Sequence, residues 1–394
     1  MLESAGAPRF APTGPEPHLG HLVYGQNGTL VAAPFNSESL KVGTPVPVME
    51  GLQGTGGLVF FGISRAGTLA FIGGPQGAGL VETSILTWVD RDGNEQPLQT
   101  PPDVYLFPRI SPGGDRFAVT MLETAQAIDR SVWVYDLNRD TFSRLTFENG
   151  GSNPVWSPEG DRIYFGRLAG VSAATSRIYS TLSSGGGQEE PLFPNNGGLG
   201  WVPYSVSPDG VLVGQDFVQY QPWTVQLGPD GLATGEPGSF LDSRFTRQNF
   251  RFSPDGRWVA FQSDQSGQSE VYVVPFPGPG GLTQVSTNGG VFPVWNANGR
   301  ELFYRSGDQM MAVKVDLSGE AFRAETPEFL FEHASPYSIL IDTRAYDVHP
   351  DGNRFLMTKY DYAGSEADER QPALHVITNW FEQLREQVPL DEVE

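Results

Sequence analysis

The sequence predicts an all-β fold: a single β-propeller of four-stranded antiparallel blades, eight in number with seven as the alternative, and a short C-terminal helix. Three observations predict it. A Ser-Pro-Asp-Gly turn recurs along the chain, Gly and Pro are abundant, and apolar content is high enough for a packed core. Of 394 residues, 48 are Gly and 32 are Pro, while 39% are hydrophobic and 12% aromatic. Such Gly and Pro levels accompany disorder only where hydrophobic residues are scarce. Here they read as punctuation between many short strands.

The clearest repeat is RFSPDGRWVAFQSDQSGQSEVYVVPFPGPGGLTQVS, from Arg251. Its strand a ends at Phe252, its turn is Ser253-Pro254-Asp255-Gly256, and strands b, c and d cover 258–262, 271–276 and 282–286. Each turn residue has a physical task. Pro presets φ, Asp bonds its own backbone two residues on, and Gly takes the left-handed conformation that a β-carbon penalises. Ser adds a side-chain bond across the turn. Related turns start at Ser111, Ser157, Ser207, Asn296 and His349, with a weaker copy at Ser64 and the weakest at Ala11, which Arg9-Phe10 precede. The starts lie 43 to 53 residues apart, close to the propeller-blade period of about 40–50 residues. One such sheet cannot bury both faces, so neighbours stack and the ring closes.

The whole chain, 1–394, therefore reads as one domain with blades at 8–52, 53–100, 101–148, 149–194, 195–242, 243–287, 288–333 and 334–380. The eighth blade has no evident strand d; residues near Met1 or the tail around 387–390 are the candidates. The helix is expected over 380–387, with Asn379 as N-cap and Pro389 just beyond its end.

The net charge is −21, which disfavours nucleic acid and anionic membrane surfaces. It serves solubility and fits a protein or peptide partner of basic character. Cysteine is absent, so disulfides and thiolate metal sites are excluded. The N-terminus lacks the apolar core of a signal peptide, and the longest apolar runs are too short to span a bilayer. Compartment stays open between cytosol and periplasm, and the chain is expected to be a monomer.

The turn-b-c-LT pattern, most specific in the copies at Ser111, Ser157 and Ser253, resembles the TolB-like, WD-repeat-like propeller repeat of bacteria. GTLVAAPF and HVITNWFEQL look like the propeller portions of large bacterial chains in which a serine/threonine kinase or a DNA-binding domain precedes the propeller. The resemblance implies a scaffold, sensor or binding module, and an extracytoplasmic setting if a longer N-terminus exists. A detached regulatory region of a kinase is one alternative. A propeller enzyme of lactonase, lyase or glycosidase type is another.

No catalytic motif supports the enzyme. There is no G-x-S-x-G elbow and no kinase loop set. His18 and His21 sit three apart without an evident third ligand, and one Asp per turn (Asp209, Asp255, Asp351) is too few for calcium. No metal or cofactor is expected. Trp156 and Trp295 are expected between blades. The turns share one face of the propeller with the c-to-d hairpins. The other face, carrying the d-to-a connections and b-to-c loops, varies more, and binding favours variable loops on a rigid scaffold. The candidate binding residues there are Asp103, Asn153, Trp201, Asp264, Arg344 and Asp361, with Trp201 either exposed or packed.

Overall fold

The computed structural model describes residues 8–393 except 27, 53, 56–57, 60, 74–83, 102, 123–129, 148–149, 168–175, 194–200, 217–218, 242–244, 279, 334–344 and 361–372. The turns behave as their chemistry predicts. Gly67, Gly114, Gly160, Gly210, Gly256, Gly299 and Gly352 all have positive φ. The hydroxyls of Ser111, Ser157, Ser207 and Ser253 accept the N–H groups of Arg116, Arg162, Val211 and Trp258 at 3.0–3.1 Å. Asp255 and Asp351 each accept the N–H two residues on, at 3.1 and 2.8 Å.

The third to seventh repeats form five antiparallel sheets in strand order a-b-c-d. The sixth, for example, runs Arg247–Phe252, Trp258–Ser263, Glu270–Pro275 and Thr283–Gln284. The second and eighth repeats do not fold by themselves. They exchange strands. Strand b of the eighth, Arg354–Tyr360, pairs with strand c of the second, Ser84–Asp90, in the register Trp88↔Leu356. With Tyr346–Val348 inside and Glu95–Pro97 outside, these make a complete four-stranded blade. Of their other strands, Phe61–Ile63, Leu69–Gly73 and Ala373–Ile377 form a separate three-stranded sheet, and Gly54–Thr55 pairs with Leu58–Val59.

The apolar clusters show which sheets belong together. Six of them each join two neighbouring sheets: third with fourth, fourth with fifth, fifth with sixth, sixth with seventh, seventh with composite, and composite with third. Six sheets with six shared cores make a closed ring. The expected propeller of four-stranded blades is present, but among the described residues the ring has six blades, not eight or seven. The physical reason lies in the strand edges of the second and eighth repeats. Repeat spacing fixes the order of strands, but any antiparallel partner with matching alternation satisfies a strand edge. The missing strand d of the eighth repeat is supplied by Glu95–Pro97 of the second, not by either terminus.

The first repeat lies outside the ring. Its strands Arg9–Ala11, Leu19–Gln26, Thr29–Asn36 and Val46–Met49 form a sheet with the short Lys41–Val42. A seventh cluster packs this sheet, the three-stranded sheet and the C-terminal helix into one core around Val23, Leu30, Leu69, Trp380 and Leu384. The helix spans Trp380–Gln387, as expected. Asn379 precedes it in the left-handed region, without the side-chain cap expected of it. Among the described residues, no helix is long and apolar enough to cross a membrane.

Candidate functional site

The channel wall is made by strand a of each ring blade: Tyr105–Ile110, Ser152–Trp156, Trp201–Val206, Arg247–Phe252, Val291–Trp295 and Tyr346–Val348. Each lies against its neighbours around the axis. Five of these strands break register against strand b. In four, the residue four positions before the turn is left-handed: Phe107, Asn153, Asn249 and Phe292, with φ of 52–57°. Such a bulge re-aims the residues that follow it. A left-handed Phe is unfavourable by itself and persists only where the packing around it dictates it.

Beyond the bulge, the residue two positions before the turn is Arg109, Val155, Ser205, Arg251, Val294 or Asp347 in the successive blades. Three of these are charged, each between apolar chain neighbours, and they stand at the same position on three of the inner strands. The Asp347 carboxylate accepts the Ile110 N–H at 2.8 Å and lies 3.7 Å from the Arg251 guanidinium. Asp347 thus touches blades on opposite sides of the ring, which only a group near the axis can do. Arg109 Nε donates to the Pro154 carbonyl at 3.2 Å, and Arg251 Nη1 lies 3.4 Å from the Tyr204 carbonyl. Together the three side chains connect five of the six inner strands.

Tryptophans brace the two arginines. Trp156 Nε1 donates to the Arg109 carbonyl at 2.9 Å and Trp295 Nε1 to the Arg251 carbonyl at 3.0 Å. Both indoles are buried between blades, as the sequence led us to expect. The charged cluster is nearly sealed: Arg109 is 6% exposed, and the side chains of Arg251 and Asp347 are 15% and 10% exposed. Arg109 Nη1 and Arg251 Nη2 are buried without a hydrogen-bond acceptor. Two guanidinium groups, always charged, stand with one carboxylate at the same position of the inner strands, and that carboxylate lies beside the Arg251 guanidinium. A buried charge without a full set of partners is costly, so the cluster is suited to holding an anion.

Of the residues picked from sequence, Asp103, Asn153, Trp201 and Asp264 lie toward the other end of the inner strands and in the loops there. Asp103 pairs with Ser84 through two backbone hydrogen bonds and accepts the Val104 N–H at 2.6 Å. Asn153 is a bulge residue and accepts from Ser152 at 2.9 Å. Trp201 is partly buried, with Trp223 and Phe193 at 5.0 and 5.1 Å between ring centroids, so it packs. Asp264 accepts the Thr246 N–H at 3.0 Å and ties the b-to-c loop to the start of its own blade's strand a. Arg344 and Asp361 lie outside the described residues. These contacts do not gather Asp103, Asn153, Trp201 and Asp264 around a common point.

Tyr105 and Arg247 are among the groups at that end with perturbed acidity. Burial pushes the Tyr105 hydroxyl up to about 12, and its O–H donates to the Pro101 carbonyl. Burial also lowers the Arg247 guanidinium, which donates to the Leu241 carbonyl at 2.9 Å and lies over Phe261. Among the described residues no three His, Asp or Glu side chains gather as a metal-holding set. His21 has both ring nitrogens engaged, at 2.6 Å from Thr13 Oγ1 and 2.7 Å from the Val388 carbonyl.

Sequence reasoning missed the axial trio. Its signal was a charged residue in apolar company two positions before three of the turns, in FPRISP, FRFSP and YDVHP.

The sequence matches no family model and no curated protein. Solved structures do match. A putative TolB from Agrobacterium tumefaciens superposes with a TM-score of 0.54 at 18% identity, over 71% of this chain and 99% of that one. TolB from Acinetobacter baumannii gives 0.47 at 15%, over 79% and 82%. A putative 6-phosphogluconolactonase from Bacteroides uniformis gives 0.45 at 13%, over 75% and 99%. The fold is shared with TolB-like propellers.

Proposed function

We propose that this chain is a non-catalytic binding module, a scaffold or sensor, whose propeller ring recognises a protein or peptide partner around its central channel. The observation that carries this reading is the axial trio. Arg109, Arg251 and Asp347 sit on rigid inner strands, fixed by backbone contacts and braced by Trp156 and Trp295. Guanidinium groups do not serve as nucleophiles or bases at neutral pH. They recognise, and their fork geometry suits oxygen anions. The nearly sealed setting strengthens such contacts relative to water.

The wild-type chain and an Arg251→Glu variant, both immobilised, test the reading against whole-cell extract. The native chain is expected to retain a discrete set of proteins that the variant releases, because reversing one axial charge opposes the same ligand chemistry. Identical retention by both chains, or by neither, would remove the channel from the function. The module is proposed to act as a monomer, and light scattering at the mass of a single chain is the expected outcome.

A further inference from the structure

We infer that the channel holds a site for one carboxylate group, gripped by Arg109 and Arg251 beside Asp347. This deepens the binding reading by naming the group that the channel takes. Three observations support it. Asp347 touches the third-repeat and sixth-repeat blades at once, so the cluster is central. Arg109 is more than nine-tenths buried, and its Nη1 has no acceptor; Arg251 Nη2 has none within hydrogen-bond distance. Among the described residues two positions before the six turns, two guanidinium groups stand against one carboxylate, an excess of one positive charge.

That count selects the ligand. One excess positive charge matches a monoanion. A phosphate carrying two negative charges would overfill the site and sit against the Asp347 carboxylate, where like charges repel. A carboxylate matches the guanidinium fork in plane and spacing. It also departs from the basic partner that the overall charge suggested, because the axial groups have the opposite sign to the protein as a whole. Two sources offer the same chemistry: a peptide's C-terminus or a free small organic acid.

The test uses the intact chain and four probes: acetate, acetamide, N-acetyl-glycylglycine and its C-terminal amide. Binding is read from NMR shifts of the Trp156 and Trp295 indole N–H signals, which report on the carbonyls of the two arginines. Both carboxylates are expected to shift these signals saturably, and both neutral amides are not. Arg251→Gln is expected to weaken binding about tenfold, the effect of one charge-assisted hydrogen bond. Asp347→Asn keeps an oxygen for the Ile110 N–H and removes the competing charge, so it is expected to bind acetate more tightly. A merely structural role for the trio would not produce a gain.

Tighter binding of the peptide acid than of acetate assigns the site to a chain terminus, and the reverse order assigns it to a small acid. Equal response to acetate and acetamide, or no gain in Asp347→Asn, overturns the inference. Partner retention that persists alongside that result would leave the binding reading standing. Loss of retention with carboxylate binding intact would instead overturn the reading of a protein partner.

Discussion

Arg9-Phe10 and Arg251-Phe252 occupy the same place in two copies of the repeat, just before the turn, and they meet opposite fates. Arg9 is exposed and Phe10 is 37% exposed, held by one edge-on contact with Phe35. Phe252 is 7% exposed and Arg251 reaches Asp347 across the channel. The dipeptide is identical; the surroundings differ. In the ring, strand a has blades on both sides and the axis in front. In the terminal sheet the same strand covers only one neighbour. The repeat therefore dictates a local hairpin, and ring closure decides whether its residues become core, channel or surface.

The sharpest way to break this comparison is to remove one core at a time. Trp380 is 1% exposed in the terminal core and Phe117 is fully buried between the composite and third-repeat blades. Either truncation to Ala costs about 3–5 kcal/mol. Hydrogen exchange is expected to show Trp380→Ala losing protection over Leu19–Gln26 and Thr29–Asn36 while Tyr105–Ile110 and Arg116–Leu122 keep theirs. Phe117→Ala is expected to do the reverse. Equal loss in both regions by both variants would mean that the ring and the terminal sheets form one cooperative unit.

A smaller effect separates the two regions by pH. Burial holds His21 below its ordinary value of 6.5, outweighing the bond to Val388 that favours the proton. The neutral form is thus the folded form. Its contribution is complete above pH 6.5 and is lost as pH falls from there through the folded value, at up to about 1.4 kcal/mol per pH unit. Exchange protection of the Trp380–Gln387 helix is expected to fall over that range, while the sixth-repeat blade does not follow. A His21→Gln variant should lose that pH dependence, and persistence of the slope would assign it to another group.

The smallest effect concerns the turn. Ser253 bonds the Trp258 N–H at 3.0 Å, whereas the first repeat has Ala11 at that position. Ser253→Ala is expected to cost about 1 kcal/mol in urea unfolding. No shift in the midpoint would make the ring's serine as dispensable as the first repeat's alanine shows it can be.

Much of this architecture was readable in the residues. The turn, its left-handed Gly, the serine bond, the four-stranded blades, the interblade tryptophans and the C-terminal helix all follow from short-range chemistry. Each depends on a few consecutive residues and their alternation. The candidate site was hardly legible. Asp103, Asn153 and Asp264 satisfy nearby backbone or side-chain groups, and Trp201 packs. Arg109, Arg251 and Asp347 lie up to 238 positions apart in the chain and are linked only by a closed ring.

The sequence by itself determined the repeating hairpin and the order of the strands, because turn geometry and period-two alternation act within each repeat. Only the tertiary structure decided that strands 84–90 and 354–360 pair with each other, that six sheets close while the terminal strands and helix make their own core, and that three charges meet on the axis. Antiparallel edges accept any partner of matching pattern. The choice among them is made by which closure buries every blade face.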